Sequence, residues 1–363
     1  MKIGIISHLK HPIRAPFAGG LEVFTHHITT ALQSSGHDVT LFASSSSDPS
    51  LPLVPILTDD HYDELTGQRR KMKDLPSEYI AEHHAYFRLM TEIDQYGFDV
   101  IFNNSLHYVP ITMATIVNTP IVTVLHTPPF YELELAIAAE RRKPIIDYIT
   151  VSRKSAENWR GLVNQCNVIL NGIKIEKWDF HPEAGLDRYA LWFGRIHPDK
   201  GLHLAIAAAR AAKIPLRIAG GIADEKYYKQ KIEPLMGDDL VFLGLLDQPS
   251  LNREIGNASV CLITPCWEEP FGFVAAEAMA CGTPIAGFRM GALPEIIAPH
   301  TGVLAAGGNV DQLAEAILEA EKLNRSEIRK YALQKFSFVT MIAAYEEQLE
   351  STANKNNKLI NTI

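Results

Sequence analysis

Short apolar runs alternate with helix-forming stretches along nearly the whole chain, and this alternation narrows the fold more than any other feature. In the first half the runs at 3–6, 39–42, 100–102, 121–125 and 148–151 read as strands, with helical patterns near 20–34, 77–96, 131–142 and 153–164. Strands separated by helices pair in parallel, because a helix carries the chain back to the same end of the sheet. The alternation starts again at 190–193 and continues through 216–219, 240–243, 260–263 and 285–286. Helices are expected there near 202–212, 225–236, 250–255, 274–281 and 310–322. With 363 residues the chain is long enough for two cores. The class is therefore α/β, with two Rossmann-like domains. A short run at 168–170, followed by Asn171-Gly172, marks the join.

The tail adds one element. Met341, Ile342, Tyr345 and Leu349 fall at helical spacing, so the stretch 339–349 carries an apolar face that must be buried. Residues from about 350 on are polar and read as frayed.

Composition excludes several classes. The net charge of -8 is spread evenly, with no basic face of the kind a nucleic-acid binder shows. The one basic run, Arg69-Arg70-Lys71-Met72-Lys73, reads as a solvated loop, with a membrane surface or an anionic acceptor as the alternative. No apolar run approaches the roughly 18–20 residues of a membrane span. The N-terminus opens directly into a strand, so a cytoplasmic protein is expected. The four cysteines, Cys166, Cys261, Cys266 and Cys281, include no Cys-x-x-Cys pair, and no bound metal is expected.

The most specific stretch for chemistry runs from Glu269 to Pro284. Pro270 and Gly272 break regular structure, which puts Glu269 on a loop. Val274 to Ala280 are good helix formers, and Gly282 then Pro284 end the run. Glu277 then projects from the first turns of a helix whose free N-terminal amides favour anions. A loop carboxylate, a patch of amides (Phe271, Gly272, Phe273, Val274) and a helical carboxylate suit a sugar, a phosphate and a ribose diol in a row. Taken with Pro-Phe-Gly after the first Glu and Ala-x-Gly-x-Pro after the second, this Glu-x7-Glu arrangement resembles the donor-site signature of the family 4 retaining glycosyltransferases.

That resemblance implies a GT-B fold: two Rossmann-like domains facing across a cleft, with the last helix crossing back to the N-terminal domain. The acceptor-side domain would span 1–170 together with the tail 338–363, and the donor domain 171–337. Three further motifs take roles under the same resemblance. Gly194 and Arg195, with Lys200 five residues on just before a helix, offer a forked guanidinium and a point-charge ammonium for a diphosphate. Gly19-Gly20 opens the first helix and lets backbone approach a phosphate. His126 ends a strand, where active residues of open α/β sheets gather, and matches a family histidine that bonds the transferred sugar. Gly221 and Leu243 are expected on the base side. His8, Arg14 and His107 are acceptor candidates, and 44–76 reads as acceptor-side loop.

The catalytic set is then His126, Arg195, Lys200 and Glu269, with Glu277 on the ribose. The expected activity is transfer of a hexose from a nucleoside diphosphate sugar, a UDP-sugar on family frequency, to an acceptor hydroxyl with retention. A soluble small molecule is favoured over lipid or polysaccharide. No cofactor is expected, since an Asp-x-Asp metal motif is absent and cations with helix ends can neutralise the diphosphate. An epimerase or phosphorylase on the same fold, or a decayed binding protein, are the alternatives.

Overall fold

The computed structural model describes residues 1–57, 77–142 and 144–360. The chain divides into two compact units. Unit 1 comprises Met1–Val151, Ser155–Ile169 and the chain from Ile342 on, and unit 2 comprises Ser152–Lys154 and Leu170–Met341.

Unit 1 is built on a seven-stranded sheet in the order β3-β2-β1-β4-β5-β6-β7. Its strands are β1 (Lys2–Ser7), β2 (Asp38–Ser44), β3 (Leu53–Leu57), β4 (Val100–Asn104), β5 (Ile121–Leu125), β6 (Ile146–Thr150) and β7 (Cys166–Val168). Every pairing is parallel. β1 lies centrally, and Ile3, Ile5 and Ile6 are fully buried. Helices on both faces explain why such strands read as unbroken apolar runs.

Unit 2 repeats the plan with six parallel strands in the order β10-β9-β8-β11-β12-β13. They are β8 (Ala190–Phe193), β9 (Leu216–Ala219), β10 (Leu240–Gly244), β11 (Val260–Ile263), β12 (Ile285–Phe288) and β13 (Gly302–Ala305). In both units the chain starts in the middle, winds outward one way, then returns to wind the other way. That is the doubly wound order, and both sheets are Rossmann-like.

The structure departs from the expected elements at several places. Part of the supposed loop 44–76 is the edge strand β3, whose Ile56 and Leu57 are buried. The rest of that loop, and the basic run Arg69 to Lys73, lie outside the described residues. The helix expected over 153–164 stops at Trp159, because Gly161 adopts φ +83. The expected helix 225–236 breaks into short pieces, the last begun by Glu233-Pro234, since proline cannot donate to the turn before it. β13 and the helix Arg325–Lys335 were not expected. That helix has a mostly polar surface, but Asn324 caps it by accepting from the amides of Ser326 and Glu327.

The last helix, Phe338–Ile360, begins in unit 2 and continues in unit 1. Tyr345 is fully buried, with its ring 5.5 Å from Phe24 and 5.5 Å from Phe102. The tail does not fray at 350. Thr352 and Ala353 are buried, and Asp147 accepts from the Thr352 hydroxyl at 2.6 Å and the Lys355 ammonium at 2.8 Å.

Candidate active site

Ligands of open α/β sheets bind at the carboxyl ends of the strands, where the winding order reverses. In unit 2 that point lies between β8 and β11, which pair directly. Two loops leave it. One carries Gly194, Arg195 and Lys200, the other Trp267 and Glu269.

The first loop is shaped by close backbone packing. Gly194 (φ +150) donates to the Ala219 carbonyl at 3.0 Å, and Gly220 (φ +148) lies so close that a Cβ there would strike the Gly194 carbonyl. Buried Ile196 donates to the Gly221 carbonyl at 2.9 Å. Arg195 sits between these anchored residues with its side chain exposed. A tight turn at Pro198–Lys200 then leads through Gly201 (φ +63) into the helix Leu202–Ala211.

The two loops are tied together. The Thr264 hydroxyl, just past β11, donates to the Lys200 carbonyl at 2.9 Å. The Cys266 amide donates to the Asp199 carbonyl at 2.7 Å. The Lys200 ammonium consequently reaches Glu269, with Nζ 2.5 Å from Oε2. The indole Nε1–H of Trp267 donates to the same oxygen at 3.0 Å, and Lys200 Nζ lies 5.3 Å from the centre of the Trp267 ring.

Glu269 is also fixed through its backbone. Its carbonyl accepts from Ala292 at 2.8 Å, and Gly291 (φ +54) presses against its N and O so closely that only glycine fits. Gly272 (φ +92) then turns the chain into the helix Phe273–Ala280. The Phe271 ring is core, packed edge-on to Phe273 and Phe336, so only its backbone is available at the site. Phe273 and Val274 are half-buried in the first turn, where helix amides have no intrahelical acceptor.

Glu277 lies one turn further along this helix and is half-buried. Burial pushes its carboxyl up to about 7. No hydrogen bond from the described residues reaches it. An ionised carboxylate in such a place accepts two donors well, as a vicinal diol offers them. Gly221 and Leu243, at the ends of β9 and β10, are half-buried with backbone groups nearby.

In unit 1 the winding reverses between β1 and β4. His8 follows β1, and its Nε2 lies 3.0 Å from Glu22 Oε1. Glu22 is in the first turn of the helix Gly20–Ser34, which Gly19 precedes in extended backbone. Burial alone would raise the Glu22 carboxyl, but hydrogen bonding to His8 and its charge outweigh that, and the net shift is downward. His126, after β5, has its Nε2 2.9 Å from Asn104 Oδ1 and its ring 4.8 Å from Phe24. The amide oxygen only accepts, so Nε2 carries the proton and Nδ1 is left as an acceptor. Burial, then the charge of His8, push His126 down to about 3, so the ring is neutral.

The other two acceptor candidates are placed differently. His107 caps the short helix Tyr108–Met113 by accepting from the Val109 amide at 3.2 Å, and burial, then the charge of His83, push it down to about 4. Arg14 is exposed on the first loop.

The structure thus gathers Lys200, Glu269 and Trp267 in unit 2, with Arg195 and Glu277 on the flanking elements. In unit 1 it groups His8, Glu22, Asn104 and His126. Trp267, Glu22 and Asn104 were not picked out from sequence. The only sequence sign of Trp267 is an aromatic residue two places before the loop glutamate. Among the described residues, no cluster of three or more His, Cys, Asp or Glu side chains could hold a metal ion, and no helix is long and apolar enough to cross a membrane.

Residues 18–177 match the family model described as Glycosyltransferase Family 4, and residues 174–335 match the model described as Glycosyl transferases group 1. Glycogen synthase from Mycobacterium tuberculosis is 27% identical over 346 residues, covering 82% of this chain and 81% of its own. The phosphatidyl-myo-inositol mannosyltransferase of Mycolicibacterium smegmatis is 26% identical over 362 residues, covering 91% of this chain and 88% of its own. Among solved structures, Anabaena HepE in complex with UDP and glucose superposes with a TM-score of 0.75 at 20% identity, over 97% of this chain and 100% of its own. Sucrose-phosphate synthase from Thermosynechococcus elongatus gives 0.74 at 20% identity, over 96% and 98%. These likenesses show the GT-B fold.

Proposed function

The chain belongs to the glycosyltransferases of family 4, and from that premise we propose that it moves a hexose from a UDP-sugar to the hydroxyl of a soluble small molecule, with retention at the anomeric carbon. The observation that carries this is the convergence of Lys200, Glu269 and Trp267 at the switch point of unit 2, beside the helix that bears Glu277. The HepE complex with UDP and glucose supports the choice of donor.

Glu277 accepts from the two ribose hydroxyls. Arg195 and Lys200 hold the diphosphate and stabilise the negative charge that grows on it as the glycosidic bond breaks. Glu269 and the amides of Phe271 to Phe273 position the sugar hydroxyls. In unit 1, neutral His126 and His8 are the candidates for hydroxyl contacts. The acceptor oxygen bonds to the anomeric carbon on the face the diphosphate leaves, and the departing phosphate oxygen takes its proton. No protein nucleophile and no metal take part.

The mild acidity of the chain favours a soluble acceptor, whereas its relatives include a glycogen synthase and a phosphatidyl-myo-inositol mannosyltransferase. The test is transfer from UDP-glucose, with and without chelator, to three acceptor pools: small polyols and sugar phosphates, a glucan, and phosphoinositide vesicles. Proton NMR of the product reads the anomeric configuration. Chelator-insensitive transfer to the first pool, with the donor's configuration kept, supports the proposal. An inverted product, a need for metal, or transfer only to glucan or vesicles contradicts the corresponding part.

A further inference from the structure

Resting on the donor-site reading above, we propose that Trp267 is a positioning residue for this reaction. It holds Glu269 and Lys200 so that Glu269 presents one free oxygen, Oε1, to the donor sugar.

The geometry is specific to this indole. Its edge donates Nε1–H to Glu269 Oε2 at 3.0 Å, while Lys200 Nζ, which also reaches Oε2 at 2.5 Å, lies 5.3 Å from the ring centre. Trp267 therefore touches both charged groups of the pair. Two donors on one carboxylate oxygen fix the plane and rotation of the group. No donor from the described residues reaches Oε1. Sugar hydroxyls are donors, and an immobile carboxylate oxygen with open lone pairs discriminates their positions better than a freely turning one.

A packing role explains the residue poorly. Trp159 and Trp192 are core residues, 0% and 2% exposed, and Trp192 spends its N–H on Thr264. Trp267 is only partly buried, follows an exposed Cys266, and among the described residues makes its one hydrogen bond to Glu269. The attraction of an ammonium to an aromatic face also restrains the flexible Lys200 side chain, which would otherwise sample many rotamers.

The test uses Trp267→Phe, which keeps a ring and deletes the N–H, alone and combined with Glu269→Gln. Two quantities are measured: turnover of UDP-glucose at saturation, and the affinity for UDP by calorimetry. Losing a hydrogen bond to a charged group should cost kcat roughly ten- to hundredfold. The affinity for UDP, which lacks the sugar, should stay within about twofold of wild type, and adding Trp267→Phe to Glu269→Gln should change kcat less than about threefold. Wild-type turnover in Trp267→Phe overturns the proposal. So does a loss of UDP affinity in step with turnover, which would mean a damaged loop, or an undiminished effect in the Glu269→Gln background. If the wild-type protein binds no UDP at all, the donor-site reading beneath the proposal falls with it.

Discussion

The environment of Glu277 is at odds with its charge. Burial lifts its carboxyl from the ordinary 4.5 to about 7, so near neutrality the folded chain keeps a proton that the unfolded chain has lost. By linkage, stability falls as pH rises from 4.5 through about 7 and stays lower above that. Glu277→Gln should remove this fall, and urea unfolding at acid and mildly alkaline pH would show it; an unchanged pH dependence in the variant contradicts the assignment. The same group makes a binding prediction. A ribose diol favours the ionised form, so UDP-glucose binding below pH 7 should release a proton, read from calorimetry in buffers of different ionisation heat. His126 has the opposite sign. Its folded value of about 3 against the ordinary 6.5 means that its contribution is full above 6.5 and is lost as pH falls toward 3. His126→Asn should soften acid unfolding over that window. Glu269, Glu277, Arg195 and Lys200 stand out in the sequence as candidates because local neighbours mark them. Trp267 does not, because its bond to Glu269 and its ring contact with Lys200 arise only in the folded loop. Asn104 likewise matters through His126 and not through its own neighbours.

Elements set where these groups point. The loop with Glu269 is held from outside by Gly291, whose left-handed backbone and contact with Glu269 leave no room for a Cβ. Gly291→Ala should destabilise unit 2 by about 1–3 kcal/mol and reduce turnover beyond what the remaining folded fraction explains. Denaturation and kinetics on the same preparation would check both, and full activity would show that the loop tolerates the shift. Strands such as β5, β8, β9 and β11 could be read to the residue, since buried parallel strands are continuous apolar runs. β3 could not, because Pro55 and a serine-rich approach disguise an edge strand. The helix Arg325–Lys335 was hidden for another reason. Its anchor is buried Arg325, which donates to the carbonyls of His181, Ala258 and Gly256, and sequence periodicity does not register such bonds.

At the scale of the whole molecule, the two units share one folding plan but not one stretch of chain. Unit 1 is completed by the end of the last helix, where Tyr345 fills a space between Phe24 and Phe102. Tyr345→Ala should cost about 3–5 kcal/mol, in the range of large aromatic truncations. The loss should appear in unit 1, as an earlier calorimetric transition with the UDP-stabilised transition unmoved; a shift confined to the latter contradicts this. The presence of two Rossmann-like halves could be read from the restart of the pattern at Ala190. The reach of the tail beyond 350 could not, because polar partners at Asp147 hold it and no apolar stripe continues. The most direct measurement on the whole account is calorimetric titration of the protein and of Glu277→Ala with UDP, GDP and ADP. Saturable binding of UDP to the wild type, weakened at least about tenfold in the variant, is the expected result. Binding of none of the three, or UDP affinity unchanged in Glu277→Ala, would contradict the placement of the donor site in unit 2.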